Sequence, residues 1–197
     1  MKTIAFLILC FTLTAGQLFA QPSYETGLIQ YQKTYKNDLA DIIQSDTSLV
    51  RFFKINPEYK VTATVQKLNG EKFFNMSTSD GGGKQAIKYA VVSFLLYGKQ
   101  YKLYAYQLSN LLNSTEYKEN FFIPFTDLTS GIGSYGGGRY IDFVVSDIKA
   151  DNLLVIDFNK AYNPYCAFRT GYSCPIPPAE NNLGVQIKAG ERDFDKK

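Results

Sequence analysis

The sequence predicts a mainly β single domain, a β-sandwich or barrel carrying one N-terminal amphipathic helix. Three observations predict it. One early stretch has helical periodicity, about seven later segments rich in Tyr, Phe, Val and Ile alternate or run apolar, and glycine- or asparagine-bearing punctuation separates them.

Leu28, Tyr31, Tyr35, Leu39 and Ile42 recur at helical spacing with Gln, Lys, Asn and Asp between them, which predicts a helix over 28–43. Val61, Ala63 and Val65 alternate with threonine and glutamine, the pattern of a half-buried strand, and a second strand is expected over 72–76. Gly81-Gly82-Gly83 marks the loop that follows. The apolar stretches 88–97 and 100–108 predict a long hairpin turning at Gly98-Lys99 in a type II′ turn. A short strand is expected over 121–125 and a glycine-rich loop over 127–138. Strands over 139–146 and 153–158 come next, then a last strand in which Leu183, Val185 and Ile187 alternate.

Residues 1–20 read as a secretory signal: Lys2, an apolar run too short to span a bilayer, and a cut expected after Ala20. Residues 21–197 then form one domain of ordinary size, exported to the periplasm or the extracellular space. Losing Lys2 lowers the formal charge from +3 to +2, with 20 basic and 18 acidic residues scattered along the chain, so no nucleic-acid footprint is present. No later apolar run reaches the ~20 residues of a transmembrane helix.

Histidine is absent. That removes Ser-His-Asp and Cys-His catalysis and His-ligated metal sites. After signal removal two cysteines remain, Cys166 and Cys174, and a disulfide is expected in an oxidising compartment; free thiols and a redox or metal role are the alternatives.

If 139–146 and 153–158 paired as a hairpin, Ile141, Phe143 and Val145 would share the core face with Leu154, Ile156 and Phe158. Asp142 would then lie across from Asp157 on the outer face. Opposed carboxylates need a cation, from Arg169, a lysine or a bound calcium ion with Asn159 and Asn163 as further ligands. Two carboxylates merely solvated on an exposed face are the plainer alternative.

The C-terminal third holds Tyr135-Gly-Gly-Gly-Arg-Tyr140, Asp157-Phe-Asn-Lys-Ala-Tyr-Asn-Pro164, Cys166-Ala, Cys174-Pro-Ile-Pro-Pro178, Asn181 and Ala189-Gly-Glu191. In this order the pieces resemble the bacterial family known as domain of unknown function sixteen-eighty-four, with the likeness running from about Tyr31 to the C-terminus. The resemblance implies no activity. It does nominate Tyr135, Arg139, Asp142, Asp157, Asn159, Tyr162, Asn163 and Asn181 as ligand-binding candidates if the fold gathers them round one pocket, and as fold determinants if it scatters them.

Gly131-Ile-Gly-Ser-Tyr-Gly136 is a literal dinucleotide fingerprint, but a strand is expected to follow it where the fingerprint needs a helix. A strand-connecting loop is the better reading. Tyr97, Tyr101, Tyr104 and Tyr106 could stack on sugar rings, although cross-strand packing is the commoner use of such residues. The function expected is non-enzymatic binding of a small polar ligand, a glycan or another envelope component. A carboxylate-dependent hydrolase and a structural protein-interaction module are the alternatives.

Overall fold

The structure, a computed structural model, describes residues 23–44 and 46–194; the expected signal segment lies outside them. The helix α1 spans Tyr24–Ile43, starting four residues before the expected boundary because the Ser23 hydroxyl caps it by accepting from the Thr26 amide. Gln44, in the left-handed region, closes its other end. Among the described residues no helix is long and apolar enough to cross a membrane.

Eight strands follow: β1 (Lys60–Lys67), β2 (Phe74–Ser77), β3 (Gly83–Leu96), β4 (Lys99–Leu108), β5 (Asn120–Asp127), β6 (Arg139–Val144), β7 (Leu153–Asp157) and β8 (Asn182–Leu183). They form one sheet in the order β6-β5-β4-β3-β1-β7, with β2 added beside β3 and β8 running parallel to β5. A bulge between Lys88 and Ala90 bends the long β3, and the sheet curls into a nearly closed barrel. Inward-facing residues of all six main strands share the core, among them Ala63, Val92, Leu103, Ile123, Phe143 and Ile156. On the outside, α1 packs with Phe168 and Phe194 over one small cluster, while Phe122, Tyr106 and Tyr140 build a second under the loop after β7.

The long hairpin forms, but Leu96 pairs with Lys99, so its turn residues are Tyr97 and Gly98. Both have positive φ, 52° and 72°. This is a type I′ turn, one residue earlier than the expected Gly98-Lys99 II′ turn, because the glycine serves the second central position instead of the first.

Strands β6 and β7 do not form a hairpin. They are the two ends of the strand order: Asp142 lies opposite Phe122 on β5, and Asp157 opposite Lys60 on β1. The expected core face holds for Ile141, Phe143, Leu154, Ile156 and Phe158, but not for Val145, which leaves the strand in a 3₁₀ turn and is exposed. The pairing fails because Val145–Asp147 turns as a 3₁₀ helix and the chain then crosses to the free edge of β1. The opposed-carboxylate arrangement and its calcium site therefore disappear, and among the described residues no three acidic or thiol side chains gather as a metal site would need.

The last expected strand is reduced to Asn182–Leu183. Beyond it the backbone keeps its partners by other means: Leu128 donates its amide to the Val185 carbonyl and Tyr59 its hydroxyl to the Gln186 carbonyl. The next carbonyls are taken by a buried guanidinium.

Candidate functional site

Most of the motif residues turn out to hold the barrel together. Arg139, 1% exposed, sits inside the barrel end, where it donates from Nη2 to Asp127 Oδ2 at 2.7 Å and to the Ile187 carbonyl at 2.9 Å. Its Nη1 donates to the carbonyls of Ala189 and Glu191. One planar side chain thus does for the C-terminal segment what a strand ladder would do. Gly138 beside it has φ +87° and no room for a side chain, since a Cβ would lie 2.7 Å from the Phe125 carbonyl oxygen.

Asn181 closes a second gap. Strands β4 and β5 are joined by the single pair Tyr106 and Phe122, and Pro124 has no amide to extend the ladder. The Asn181 side chain accepts from the Tyr104 amide at 2.7 Å and donates to the carbonyls of Tyr104 and Pro124 at 2.8 and 2.6 Å. Asp157 and Asn159 tie down the helix and the segment before β1: Tyr24 donates its hydroxyl to Asp157, and the Asn159 amide group donates to the Asn56 carbonyl while its oxygen accepts from the Asn56 amide.

Asn163 belongs to a third buried group. Its backbone amide and the Tyr35 hydroxyl both donate to Glu191 Oε2, at 2.8 and 2.9 Å. Glu191 is fully buried, and its Oε1 has no hydrogen-bond partner among the described residues. Desolvation pushes its carboxyl up to about 8 against the opposing pull of these donors and of Arg139.

Asp142 and Tyr162 are different. They line a cleft of about 210 Å³ on the outer face of β5 and β6, together with Leu108, Leu111, Asn120, Phe121, Phe122, Tyr140 and Pro175. The Tyr162 hydroxyl donates to Asp142 Oδ2 at 2.7 Å. Asp142 is open to solvent yet closely ringed by protein, and both are true of a group inside a cleft. That enclosure raises its carboxyl above the ordinary range, with the Tyr162 hydrogen bond pulling the other way. Phe122 meets Tyr140 edge to face at 5.7 Å and 65°, and Tyr140 meets Tyr162 at 5.8 Å and 81°. The Tyr140 hydroxyl donates to the Pro175 carbonyl, which fixes the loop that forms one wall.

The profile of the family described as Protein of unknown function (DUF1684) matches residues 47–192, well over half of the chain. The chain belongs to this family. A solution NMR structure of the uncharacterised protein from gene locus rrnAC0354 of Haloarcula marismortui is similar, with 30% identity and a TM-score of 0.65 over 86% of this chain and 94% of that one. No protein with a curated description matches.

In this DUF1684 chain the expected candidates therefore separate. Asp142 and Tyr162 share the cleft, Arg139, Asp157, Asn159, Asn163 and Asn181 are bound into the fold, and Tyr135 packs beside the cysteines with its hydroxyl 3.8 Å from Cys166 Sγ. Cys166 and Cys174 are free thiols here, not the expected bridge, although the Cys166 amide reaches Cys174 Sγ at 3.4 Å. The Gly131–Gly136 fingerprint lies between β5 and β6, so no helix follows it and it is a strand-connecting loop. Sequence reasoning overlooked Phe122 and Tyr140 as cleft walls; their outward parity with Asp142 was the available signal. Glu191 stood in the Ala189-Gly-Glu191 motif, but nothing local marks it or Asp127 as a buried acid.

Glu191 has a measurable consequence. Its folded carboxyl binds a proton more tightly than an unfolded glutamate, so its contribution to stability is complete below the ordinary glutamate value and is lost as pH rises through about 8. The slope approaches about 1.4 kcal/mol per pH unit at its steepest. With no histidine in the chain, few other groups obscure this window. Urea midpoints between pH 5 and 8 should fall for the native protein and fall much less for Glu191→Gln; equal slopes would show that Glu191 is ionised throughout.

Proposed function

We propose that this is an exported, non-enzymatic protein that binds a small polar ligand, such as a glycan fragment or another envelope component, in the cleft beside Asp142 and Tyr162. The observation that carries the reading is an accessible carboxylate, oriented by a tyrosine hydroxyl, inside a concavity whose other walls are mainly aromatic and aliphatic. An apolar pocket with a few fixed polar groups is the usual form of a small-molecule site. At about 210 Å³ it falls below the ~300 Å³ at which drug-sized pockets begin. The ligand is accordingly the size of one sugar residue or a small amine.

The hydrolase alternative is less well supported. Glycoside hydrolysis uses two carboxyl groups roughly 5 to 10 Å apart across the substrate. Among the described residues Asp142 is the sole acid lining the cleft. Replacing Asp142 by asparagine keeps its size and removes the charge, so ligands that raise the melting temperature of the native protein should lose that effect. A ligand at 100 times its dissociation constant stabilises by about 2.7 kcal/mol, a readily detected shift. Undiminished stabilisation of Asp142→Asn would place binding elsewhere.

Export carries a second expectation. In an oxidising compartment the Cys166 and Cys174 thiols would exchange with a disulfide oxidant, each losing a proton while the pair passes two electrons to it, and close a bridge. Protein recovered from the periplasm should have an intact mass beginning at Gln21 and should resist alkylation without reductant. Retention of residues 1–20, or two alkylated thiols, would overturn export or the bridge respectively.

A further inference from the structure

Resting on the reading of the Asp142 cleft as a ligand site, we infer that its ligand is a small organic cation, an alkyl- or methyl-substituted ammonium. Among the described residues no lysine or arginine lines the cleft, so no cationic side chain there would hold a phosphate, sulfate or carboxylate group. Its fixed charge is the Asp142 carboxylate, whose hydrogen-bond partner is the neutral phenol of Tyr162. A carboxylate in a cleft of mainly apolar walls, with no cationic partner among the described residues, favours a ligand that brings one.

The walls point the same way. Phe122, Tyr140 and Tyr162 meet in two successive near-perpendicular contacts, at 65° and 81°, and this makes corners from aromatic rings. Ring faces carry the negative end of the aromatic quadrupole, and rings set at angles around a small space attract an ammonium group by cation–π interaction. Tyr162 engages Asp142 Oδ2, which leaves Oδ1 to accept from an ammonium N–H or to neutralise a methylated one. The volume of about 210 Å³ suits a cation of a few heavy atoms. A neutral sugar could stack on the same rings, but it would leave the carboxylate uncompensated. Charge therefore separates the two ligand classes.

Isothermal titration of the full chain at low ionic strength separates them experimentally, with methylammonium, tetramethylammonium and a neutral hexose as probes and sodium chloride as the control. The ammonium probes should bind, weaken at least tenfold in Asp142→Asn, and weaken also in Tyr140→Leu, which keeps the charge and removes a ring. The amide spectrum of each variant should overlay that of the native protein, which separates a lost site from a lost fold. Asp142-dependent binding of hexose without ammonium would overturn the cation inference and leave the cleft reading standing. Ammonium binding that Asp142→Asn does not weaken would overturn the inference. Absence of binding by every probe would overturn both.

Discussion

Replacing Arg139 by methionine is expected to cost roughly 3 to 5 kcal/mol, the range for removing one partner of a buried ion pair. For a domain whose whole stability is about 5 to 15 kcal/mol, that is enough to leave much of the chain unfolded at 37 °C. The loss has two sources. Asp127, 6% exposed, would keep a buried charge with its cation gone, and the carbonyls of Ile187, Ala189 and Glu191 would lose their donor together. Arg139→Lys should rescue little, because an ammonium is a point donor and cannot span acceptors laid out for a planar fork. Adding Asp127→Asn to Arg139→Met should recover part of the loss by removing the stranded charge, though Asp127 also accepts from the Thr129 amide and hydroxyl. Urea unfolding of the four proteins measures this. A loss below 1 kcal/mol for Arg139→Met would mean that the C-terminal segment is held by other contacts.

Asn181→Ala is expected to cost about 2 to 4 kcal/mol. Three hydrogen bonds disappear, and the Tyr104 amide and two carbonyls are left without a partner in the interior, each at ~1 kcal/mol or more. Asn181→Asp is the sharper test. Aspartate can still accept from the Tyr104 amide but cannot donate to the carbonyls of Tyr104 and Pro124, and it brings a charge into a site with 0% exposure. It should be at least as damaging as alanine. Amide exchange should rise first along β4 and β5, because these strands share a single ladder pair and depend on Asn181 to stay joined. Stability within about 0.5 kcal/mol of the native protein for both variants would show that the β4–β5 seam does not depend on this side chain.

These two residues also show where sequence reading stops. Alternation identified the core face of β6 and β7 for Ile141, Phe143, Leu154 and Ile156, which must all escape water, and failed at Val145, where the strand has already ended. It could not identify their partners. Period two fixes which way a side chain points, whereas pairing depends on where the intervening chain travels, and Val145–Asp147 sends it across the barrel end. The positive φ of Tyr97 was similarly hidden, because Gly98 advertises a turn without saying which of its two central positions it fills. Asparagines that bind a ligand and asparagines that patch a sheet look alike as letters. In the fold the amide groups of Asn159 and Asn163 bond the loop carbonyls of Asn56 and Arg192, and that of Asn181 bonds the strand carbonyls of Tyr104 and Pro124. Asp142 and Tyr162 stood in the same motif string and are the two that face a cleft.

The most direct test of that division is to map a bound ligand on the amide spectrum of the full chain, using a mixture of small amines, monosaccharides and amino acids deconvoluted to single hits. The expected result is that the perturbed amides centre on Asn120, Phe122, Tyr140, Asp142 and Tyr162, and that the perturbation is lost in Asp142→Asn while Arg139 and Asn181 respond weakly. Perturbations centred instead on the outer groove around Thr62, Ser93 and Gln100, or persisting unchanged in Asp142→Asn, would contradict the assignment of the Asp142 cleft as the ligand site.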